Sequence, residues 1–318
     1  MKKLTRGVTT MLRKIVQSVL TNTRVQSLVE SSAIGEATAA KFVAGSHVND
    51  AVDTVIALGA EGLLATVERL LEVPQDESQS RTNTLSYIDC IRALSGGAVT
   101  QDLDVTVQLT TLGLGLPNGE LVATENLIKV CQSASESGIS VTIGMEHPSD
   151  VPATLRIAHA LGEMFPTIGI TLQSSLLRSE QDAAVFGASG ARVRLCKGQF
   201  ADDPDIAHLS KNEIDKAFVR EMRTLFQSGA YVMIATHDPR LLQIGQALAL
   251  RSGRAKATFE FQMYLGVGLN EQQRLLGLQH RVRIHVPFGN DWYPVVADRL
   301  ARQPKSLGPA VGALLRRK

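Results

Sequence analysis

The sequence predicts an α/β fold, a (β/α)8 barrel preceded by additional N-terminal helices. Two observations predict it: short apolar segments recur eight times, and segments of helical periodicity separate them. Alternating strands and helices are typical of a parallel sheet. Eight such units without a long structureless linker favour a closed barrel over a doubly wound sheet, which more often has five or six strands.

Each predicted strand is a short apolar run followed by a longer segment that reads as a crossover helix. The strands are GLLATV (62–67), DVTVQL (104–109), SVTIGM (140–145), IGITLQ (168–173), RVRLCK (192–197), YVMIAT (231–236), TFEFQM (258–263) and RVRIHV (281–286). The segment DPRLLQIGQALALRSG (238–253) is a typical helix, amphipathic and closed by glycine. We predict an N-terminal helical arm over residues 1–60 and a barrel with C-terminal helices over residues 61–318.

Composition excludes several classes of protein. A net charge of +2 over 318 residues is too balanced to favour a nucleic-acid partner. The three cysteines, Cys90, Cys131 and Cys196, form no CxxC pair, which argues against a disulfide framework and a zinc site and favours a cytoplasmic location. No run reaches ~18 apolar residues, so no transmembrane helix is predicted.

The first twenty residues, MKKLTRGVTTMLRKIVQSVL, interleave basic and apolar residues at helical spacing. Two interpretations remain open. The segment is either a helical arm packed on the body of the protein or a basic amphipathic helix in peripheral contact with the inner face of the membrane.

Polar residues stand at or near the predicted end of every strand. In barrels of this type the active site lies at the C-terminal strand ends, so these residues predict a site there. Any one of them is equally a capping or loop residue, and only the recurrence carries weight. They are Glu68, Glu72, Gln108, Glu146, Gln173, Lys197, His237, Gln262 and His285.

Several chemistries lack their motifs. The sequence has no HxH or HExxH for a metal, no GxSxG elbow after a strand, and no dinucleotide fingerprint or phosphate loop. A polar rim with few cations suits an anionic or electron-accepting ligand. Arg194 and Lys197, with Gln173 and His237 as further donors, match a flavin cradle, since reduced flavin gains negative charge.

Five stretches also resemble the proline dehydrogenase family. RVRLCKGQF (192–200) is similar to its RLVKGAY, IATHDP (234–239) to its IATHN/D, and FEFQMYLG (259–266) to its FEFQMLYG. VPFGNDWYP (286–294), followed by RLARQP (299–304), is similar to its VPYGxxWYPYxxRRLAExP, and the start of KFVAGSHVNDAV (41–52) is similar to its RFVAG. The resemblance extends over about residues 38–310 and implies a distorted barrel with FAD at its C-terminal mouth.

The resemblance implies a set of cofactor residues that this chain retains. The family's Gln, Arg, Lys and His contacts correspond to Gln173, Arg194, Lys197 and His237. Further cofactor-binding candidates in the same stretches are Cys196, Gly198, Thr236, Glu260 and Gln262. The implied reaction moves hydride from a carbon beside an amine nitrogen to flavin N5, and electrons then pass to a membrane quinone or another acceptor.

The implied substrate residues differ from the family pattern. Gln108 replaces the Lys of VKL, and Asp298 and Arg299 stand where the family has an Arg pair, so one cation of three remains. Gly144 replaces an Asp, while Phe200, His285 and Val295 replace Tyr; Leu195 and Tyr264 complete the candidates for substrate contact. Two lost charged hydrogen bonds amount to roughly 3–6 kcal/mol, about 10²- to 10⁴-fold in affinity.

Three functions follow. The first is a flavin enzyme that oxidises another amine, such as a modified proline, a cyclic amine or a compound with an N–N bond. The second is an ordinary L-proline dehydrogenase that forms pyrroline-5-carboxylate, with Arg299 and Arg283 holding the carboxylate. The third is a flavin-binding protein without enzymatic activity.

Overall fold

Eight strands close into a parallel barrel and follow one another around the ring in chain order. The computed structural model describes residues 39–96, 102–198 and 203–302, with the backbone alone for 298–302. The strands are β1 (Leu64–Arg69), β2 (Leu103–Val107), β3 (Ser140–Ile143), β4 (Ile168–Gln173), β5 (Arg192–Cys196), β6 (Tyr231–Ala235), β7 (Phe259–Tyr264) and β8 (Val282–Phe288). The predicted fold class is confirmed, and every strand boundary agrees with the prediction to two residues or better.

One helix precedes β1, and the others follow the strands and surround the ring. The helices are α1 (Val48–Ala60), α2 (Glu77–Gly96), α3 (Gly119–Glu136), α4 (Val151–Gly162), α5 (Ser179–Ala188), α6 (Lys211–Phe226), α7 (Pro239–Arg251), α8 (Leu269–Gly277) and α9 (Tyr293–Arg302), with a 3-10 turn at Lys256–Thr258. Helix α1 packs against β1 and β8. None of the helices in the described ranges is long and apolar enough to cross a lipid bilayer. The basic segment over residues 1–20 lies outside the described residues.

Two helices begin at the rim of the barrel because their first residues satisfy the backbone there. Ser210 accepts a hydrogen bond from the Glu213 backbone N–H at 3.2 Å, and the Glu213 carboxylate accepts one from the Ser210 N–H at 3.1 Å. Asp238 caps α7 by accepting from the Arg240 N–H at 3.1 Å, and Pro239 occupies the first turn. Lys211 and Asp238 are thereby fixed at the C-terminal mouth.

The apolar core lies between the barrel and the helices. Successive strand residues point to opposite faces, so Val193 and Leu195 of β5 face the helices while Arg192, Arg194 and Cys196 face inward. Both Val193 and Leu195 are fully buried in the core. The barrel interior is polar, in contrast to the layers of branched apolar side chains that usually fill such a barrel.

A buried ion pair closes the amino end of the barrel. Arg283 of β8 donates to Glu260 of β7 at 2.6 Å and 3.0 Å, and both side chains are fully buried. Arg283 also donates to the carbonyls of Ala65 and Asp102 at 2.8 Å and 2.9 Å. Although burial opposes ionisation, the attraction of Arg283 and its hydrogen bonds hold the pKa of Glu260 well below its usual range.

Candidate active site

A charged pair spans the barrel interior beneath the mouth. The guanidinium of Arg194 (β5) lies 3.1 Å from the Asp104 carboxylate (β2) and donates to the Thr106 hydroxyl at 3.0 Å. Asp104 also accepts from the hydroxyls of Thr66 and Thr142, at 2.5 Å and 2.7 Å. A buried arginine is tolerated only when it is paired and hydrogen-bonded, so this cluster fixes Arg194 across the barrel.

The ends of β4 and β5 form one wall of the mouth. The backbone N–H groups of Ser174 and Ser175 donate to the carbonyls of Cys196 and Lys197, each at 2.9 Å, and these bonds extend the strand pairing past Gln173. Gly198 has φ +77°, and a Cβ there would lie 2.5 Å from the Ser175 hydroxyl and 2.7 Å from Cβ of Gln173. Only glycine fits this close approach. The Gln173 amide donates to the Glu146 carbonyl at 3.1 Å.

A buried carboxyl supports this wall from behind. Glu221 of α6 accepts a hydrogen bond from the Ser174 hydroxyl and is 1 % exposed. Burial raises the pKa of Glu221 to about 7, against the hydrogen bond from Ser174, which lowers it. The charged neighbours that also act on this carboxyl are Glu180, Asp182 and Arg220.

We expect the stability of the protein to fall with rising pH because of Glu221. The folded state holds the Glu221 proton up to about pH 7, whereas the unfolded chain releases it near 4.5, so deprotonation favours unfolding across this window. Between about pH 5 and about pH 8, wild type should lose on the order of 1–3 kcal/mol of unfolding free energy more than Glu221→Gln. Denaturant titrations of both proteins at the two pH values measure this difference. Parallel pH dependences would contradict it.

Lys197 follows β5 and lies in a network of charges at the rim. Its ammonium group contacts the carboxylates of Asp215 at 2.6 Å and Asp238 at 3.3 Å. The same carboxylates contact Lys211 at 3.0 Å and 3.6 Å, and Arg240 at 3.2 Å and 2.7 Å. Hydrogen bonding from Arg240, together with the charge of Lys197, holds the pKa of Asp238 well below its usual range. Three cations share two carboxylates, so the network carries a net positive charge at the mouth.

The opposite wall, from β8 to β2, has a carboxylate at its centre. Glu68 of β1 accepts a hydrogen bond from the Gln108 amide at 2.8 Å through one oxygen. Its other oxygen lies 2.6 Å from Nε2 of His285 on β8. Because a carboxylate oxygen accepts, Nε2 of His285 carries the hydrogen in this contact. Both the Glu68 and His285 side chains are 13 % exposed.

Gln108 and Gly144 fit each other closely. A Cβ at position 144 would lie 2.1 Å from Oε1 of Gln108, so no larger residue is compatible with this position of the amide. Oε1 is buried and accepts no hydrogen bond from any described residue. Beside it, Glu146 accepts from the backbone N–H of Thr110 at 3.1 Å and from its hydroxyl, while burial raises the pKa of Glu146.

An aromatic stack continues this wall at β7 and β6. The rings of Tyr264 and His237 stack with their centroids 5.1 Å apart, and Tyr264 contacts the His285 ring edge-on at 5.4 Å. Nε2 of His237 accepts the Tyr264 backbone N–H at 2.9 Å, so Nδ1 carries the hydrogen of the neutral ring. Tyr264 is 40 % exposed at the mouth.

Comparison with known proteins identifies the family of this chain. The sequence model described as "Proline dehydrogenase" matches residues 51–293. The chain is 30% identical over 269 residues to Proline dehydrogenase 2 of Bacillus subtilis (strain 168), across 85% of this chain and 88% of that protein. The chain belongs to the proline dehydrogenase family. It is therefore an oxidoreductase, as the sequence predicts.

Other members of the family match this chain in sequence or in fold over most of its length. Proline dehydrogenase of Deinococcus radiodurans is 28% identical over 307 residues, 96% of this chain and 98% of that protein. Among solved structures, proline utilization A from Bdellovibrio bacteriovorus inactivated by N-propargylglycine superposes with a TM-score of 0.80 at 20% identity. That match covers 89% of this chain but only 34% of the solved chain, and it supports the fold alone.

The structure places several sequence-predicted residues of this proline dehydrogenase family member at the mouth. Gln173, Lys197 and Gly198 lie on one wall, and Gln108, Gly144, His285 and Tyr264 lie on the other, with His237 between them. Thr236 precedes His237 at the same rim, and its hydroxyl accepts the Asp238 backbone N–H at 3.2 Å. Cys196 lies in β5, where its thiol contacts the Leu172 carbonyl at 3.4 Å.

Other predicted residues do not reach the mouth. Leu195 faces the helices, because it alternates with the inward-facing Arg194 and Cys196. Glu260 lies at the amino end of the barrel with Arg283, and Gln262 is buried above it, donating to Glu260 at 2.7 Å. The sequence reading took Gln262 as a strand end, but β7 continues to Tyr264. Arg283 is therefore not placed to hold a substrate carboxylate.

The remaining candidates lie at the edge of what the structure describes. Phe200 lies outside the described residues, as does its neighbour Gln199. Asp298 and Arg299 belong to α9, for which only the backbone is described there. Val295 lies in the first turns of the same helix and is partly buried.

Sequence reasoning missed Asp104 and the contacts of Glu68 at the candidate site. Asp104 pairs with Arg194, and the signal for it was an acidic residue inside the apolar run DVTVQL. Glu68 was recognised as a rim residue, but its contacts with Gln108 and His285 were not predicted. Both contacts join strands that lie far apart in sequence, and no local pattern indicates such pairs.

Proposed function

We propose that this chain is an FAD-dependent dehydrogenase of the proline dehydrogenase type with an altered amine substrate. Bound FAD would accept hydride at N5 from the carbon beside the substrate nitrogen, and a quinone or another acceptor would then reoxidise it. The observation that carries the altered specificity is the position of Gln108, which contacts Glu68 and packs against Gly144. The family pattern has a lysine at the position of Gln108 and an aspartate at the position of Gly144. A neutral amide there cannot hold a substrate carboxylate as an ammonium group does.

The residues of the β4–β5 wall fit a flavin. Gln173, Lys197 and the neutral His237 ring supply hydrogen-bond donors around the mouth, and Arg194 adds buried positive charge below it. Buried polar atoms on or just below this wall that have no partner among the described residues include Thr171 Oγ1, Ser175 Oγ and Arg194 Nε. Donors and positive charge at one wall favour a ligand that becomes more negative on reduction.

The cofactor assignment predicts different effects for two neighbouring lysines. Lys197→Ala should weaken FAD binding about 10- to 100-fold, since a charged hydrogen bond contributes about 1.5–3 kcal/mol. Lys211→Ala is the matched control, because Lys211 contacts the same two aspartates but is more exposed, 61% against 25%. Titration of the apoprotein with FAD, followed by flavin fluorescence, gives both dissociation constants. Equal FAD affinity in wild type and Lys197→Ala would contradict the assignment of Lys197 to FAD binding.

Ordinary L-proline dehydrogenase is the second candidate function. The names of the relatives that cover most of the chain favour it. Arg299 on α9 would then have to hold the proline carboxylate without Arg283, which is committed to Glu260 at the opposite end of the barrel. Reduction of the bound flavin by L-proline, compared with its reduction by L-prolinamide, distinguishes the two functions, because only L-proline has a free carboxylate.

A further inference from the structure

We propose that Glu68 and His285 bind the ammonium group of the substrate and accept its proton before hydride leaves. The inference rests on the proposed function and deepens it, because it defines the substrate by its amine. The substrate class is a secondary amine, such as a cyclic amine or a proline with a masked carboxylate.

Two hydrogen bonds orient the Glu68 carboxylate. Gln108 donates to one oxygen at 2.8 Å, and Nε2 of His285 lies 2.6 Å from the other. The strands β1 and β8 that carry Glu68 and His285 are hydrogen-bonded neighbours in the barrel. Since regular strands hold both side chains, the pair is a rigid part of the wall and not a contact between loops.

The charge on this wall suits a cationic group. Among the described residues from β8 to β3, Glu68 and Glu146 supply carboxylates near the mouth. An ammonium ion gains from a partly desolvated carboxylate, whereas a second carboxylate would be repelled there.

A buried hydrogen-bond acceptor beside the Glu68–His285 pair has no donor among the described residues. Oε1 of Gln108 has no hydrogen-bond partner in the described structure, although the same amide donates to Glu68 through its nitrogen. A buried polar atom of this kind calls for a partner, and the N–H groups of an ammonium ion are donors only. A substrate ammonium at Glu68 would therefore also satisfy Gln108.

The reaction requires a proton acceptor at this position. A secondary amine is an ammonium ion at neutral pH, as the lysine pKa of about 10.4 illustrates, and without its lone pair the nitrogen cannot assist hydride departure. In the proposed step the N–H bond breaks and its proton passes to the His285–Glu68 pair. Bound FAD would supply the acceptor for the hydride of the adjacent C–H bond, and the nitrogen lone pair would then form the C=N bond of an iminium product.

This chain differs from the family pattern at the residue that takes the proton. The resemblance to the family implies a tyrosine at the position where this chain has His285. Nε2 of His285 donates to Glu68, and the second ring nitrogen, Nδ1, has a lone pair in the neutral imidazole, so His285 can accept a proton while it keeps the contact with Glu68. A tyrosine, with a pKa of about 10, cannot gain a second proton in this way.

The binding half of the proposal is tested by calorimetry, which needs no reduction of the flavin by the amine. Pyrrolidine and L-prolinamide supply an amine without a free carboxylate, and cyclopentanecarboxylate supplies the carboxylate without an amine. We expect the protein with its FAD held in the reduced form, which accepts no hydride, to bind the two amines, and Glu68→Gln to bind them about 10- to 100-fold more weakly. Glu77→Gln, an exposed change on α2, should bind as wild type does. Tighter binding of cyclopentanecarboxylate than of pyrrolidine, or unchanged amine affinity in Glu68→Gln, would overturn the proposal.

The proton-transfer half is tested by pH profiles of flavin reduction by L-prolinamide under anaerobic conditions. In His285→Gln the apparent pKa of the reduction rate should move at least about one unit toward that of the free amine, because the enzyme then acts only on amine already deprotonated. A profile that superimposes on wild type would overturn the role of His285. If no amine reduces the flavin at any pH, the proposed function is contradicted. The calorimetric measurement on Glu68→Gln tests amine binding independently of that result.

Discussion

Replacing Glu260 by alanine is expected to lower the free energy of unfolding by about 3–5 kcal/mol, because Arg283 would keep its charge in a fully buried site with only the more exposed Asp102 carboxylate, 3.4 Å away, as a counter-ion. The loss extends beyond one contact. Glu260 also accepts hydrogen bonds from Tyr231 at 2.8 Å and from Gln262 at 2.7 Å, so three donors lose an acceptor at once. Equilibrium denaturation of the apoprotein measures the change.

Two further variants identify the cause of that loss. Glu77→Ala removes a carboxylate from an exposed pair with Arg81 and should change stability by less than about 1 kcal/mol. The double variant Glu260→Leu with Arg283→Met removes both buried charges, and it should recover most of the loss. A Glu260→Ala protein as stable as Glu77→Ala would show that the pair does not hold the amino end together.

Restoring the family's cations should convert the site toward L-proline. Gln108→Lys combined with Asp298→Arg is expected to raise kcat/KM for L-proline about 10²- to 10⁴-fold, since each charged hydrogen bond to the carboxylate contributes about 1.5–3 kcal/mol. The end of the side chain at position 108 occupies the space that Gly144 leaves, and a lysine there would also lie next to Glu68, which favours its charged form.

The control for this variant separates charge from shape. Gln108→Met has a similar length without the charge, and it should give no gain with L-proline when combined with Asp298→Arg. Steady-state kinetics on proteins that fold and retain FAD provide the comparison. A folded, FAD-bearing double variant with no gain in kcat/KM for L-proline would contradict the assignment of these two positions to the substrate.

The barrel was predictable because its signals are local. Each strand is an apolar run of about six residues bounded by polar residues or glycine. This pattern can be recognised without knowing which strands pair with each other. The β7 end shows the limit, because TFEFQMY gives no local sign that the strand includes Tyr264. The prediction consequently assigned Gln262 to the rim instead of the interior.

The site was predictable where a motif fixes a backbone position and not where a contact joins distant strands. Gly198 and His237 lie two residues after the ends of β5 and β6, so their place at the mouth follows from the strand register. The pairing of Arg194 with Asp104 joins residues 90 positions apart, and the contact of His285 with Glu68 joins residues 217 apart. Such pairs depend on the shear of the barrel and on the side-chain rotamers, and sequence spacing specifies neither.

Anaerobic titration of the FAD-bound protein with L-prolinamide and with L-proline tests the altered specificity most directly. The visible flavin absorbance reports reduction without any electron acceptor. The wall formed by Glu68, Gln108 and His285 predicts that L-prolinamide reduces the flavin at lower concentration than L-proline does. Reduction by L-proline at equal or lower concentration than L-prolinamide would contradict the account and establish an ordinary L-proline dehydrogenase.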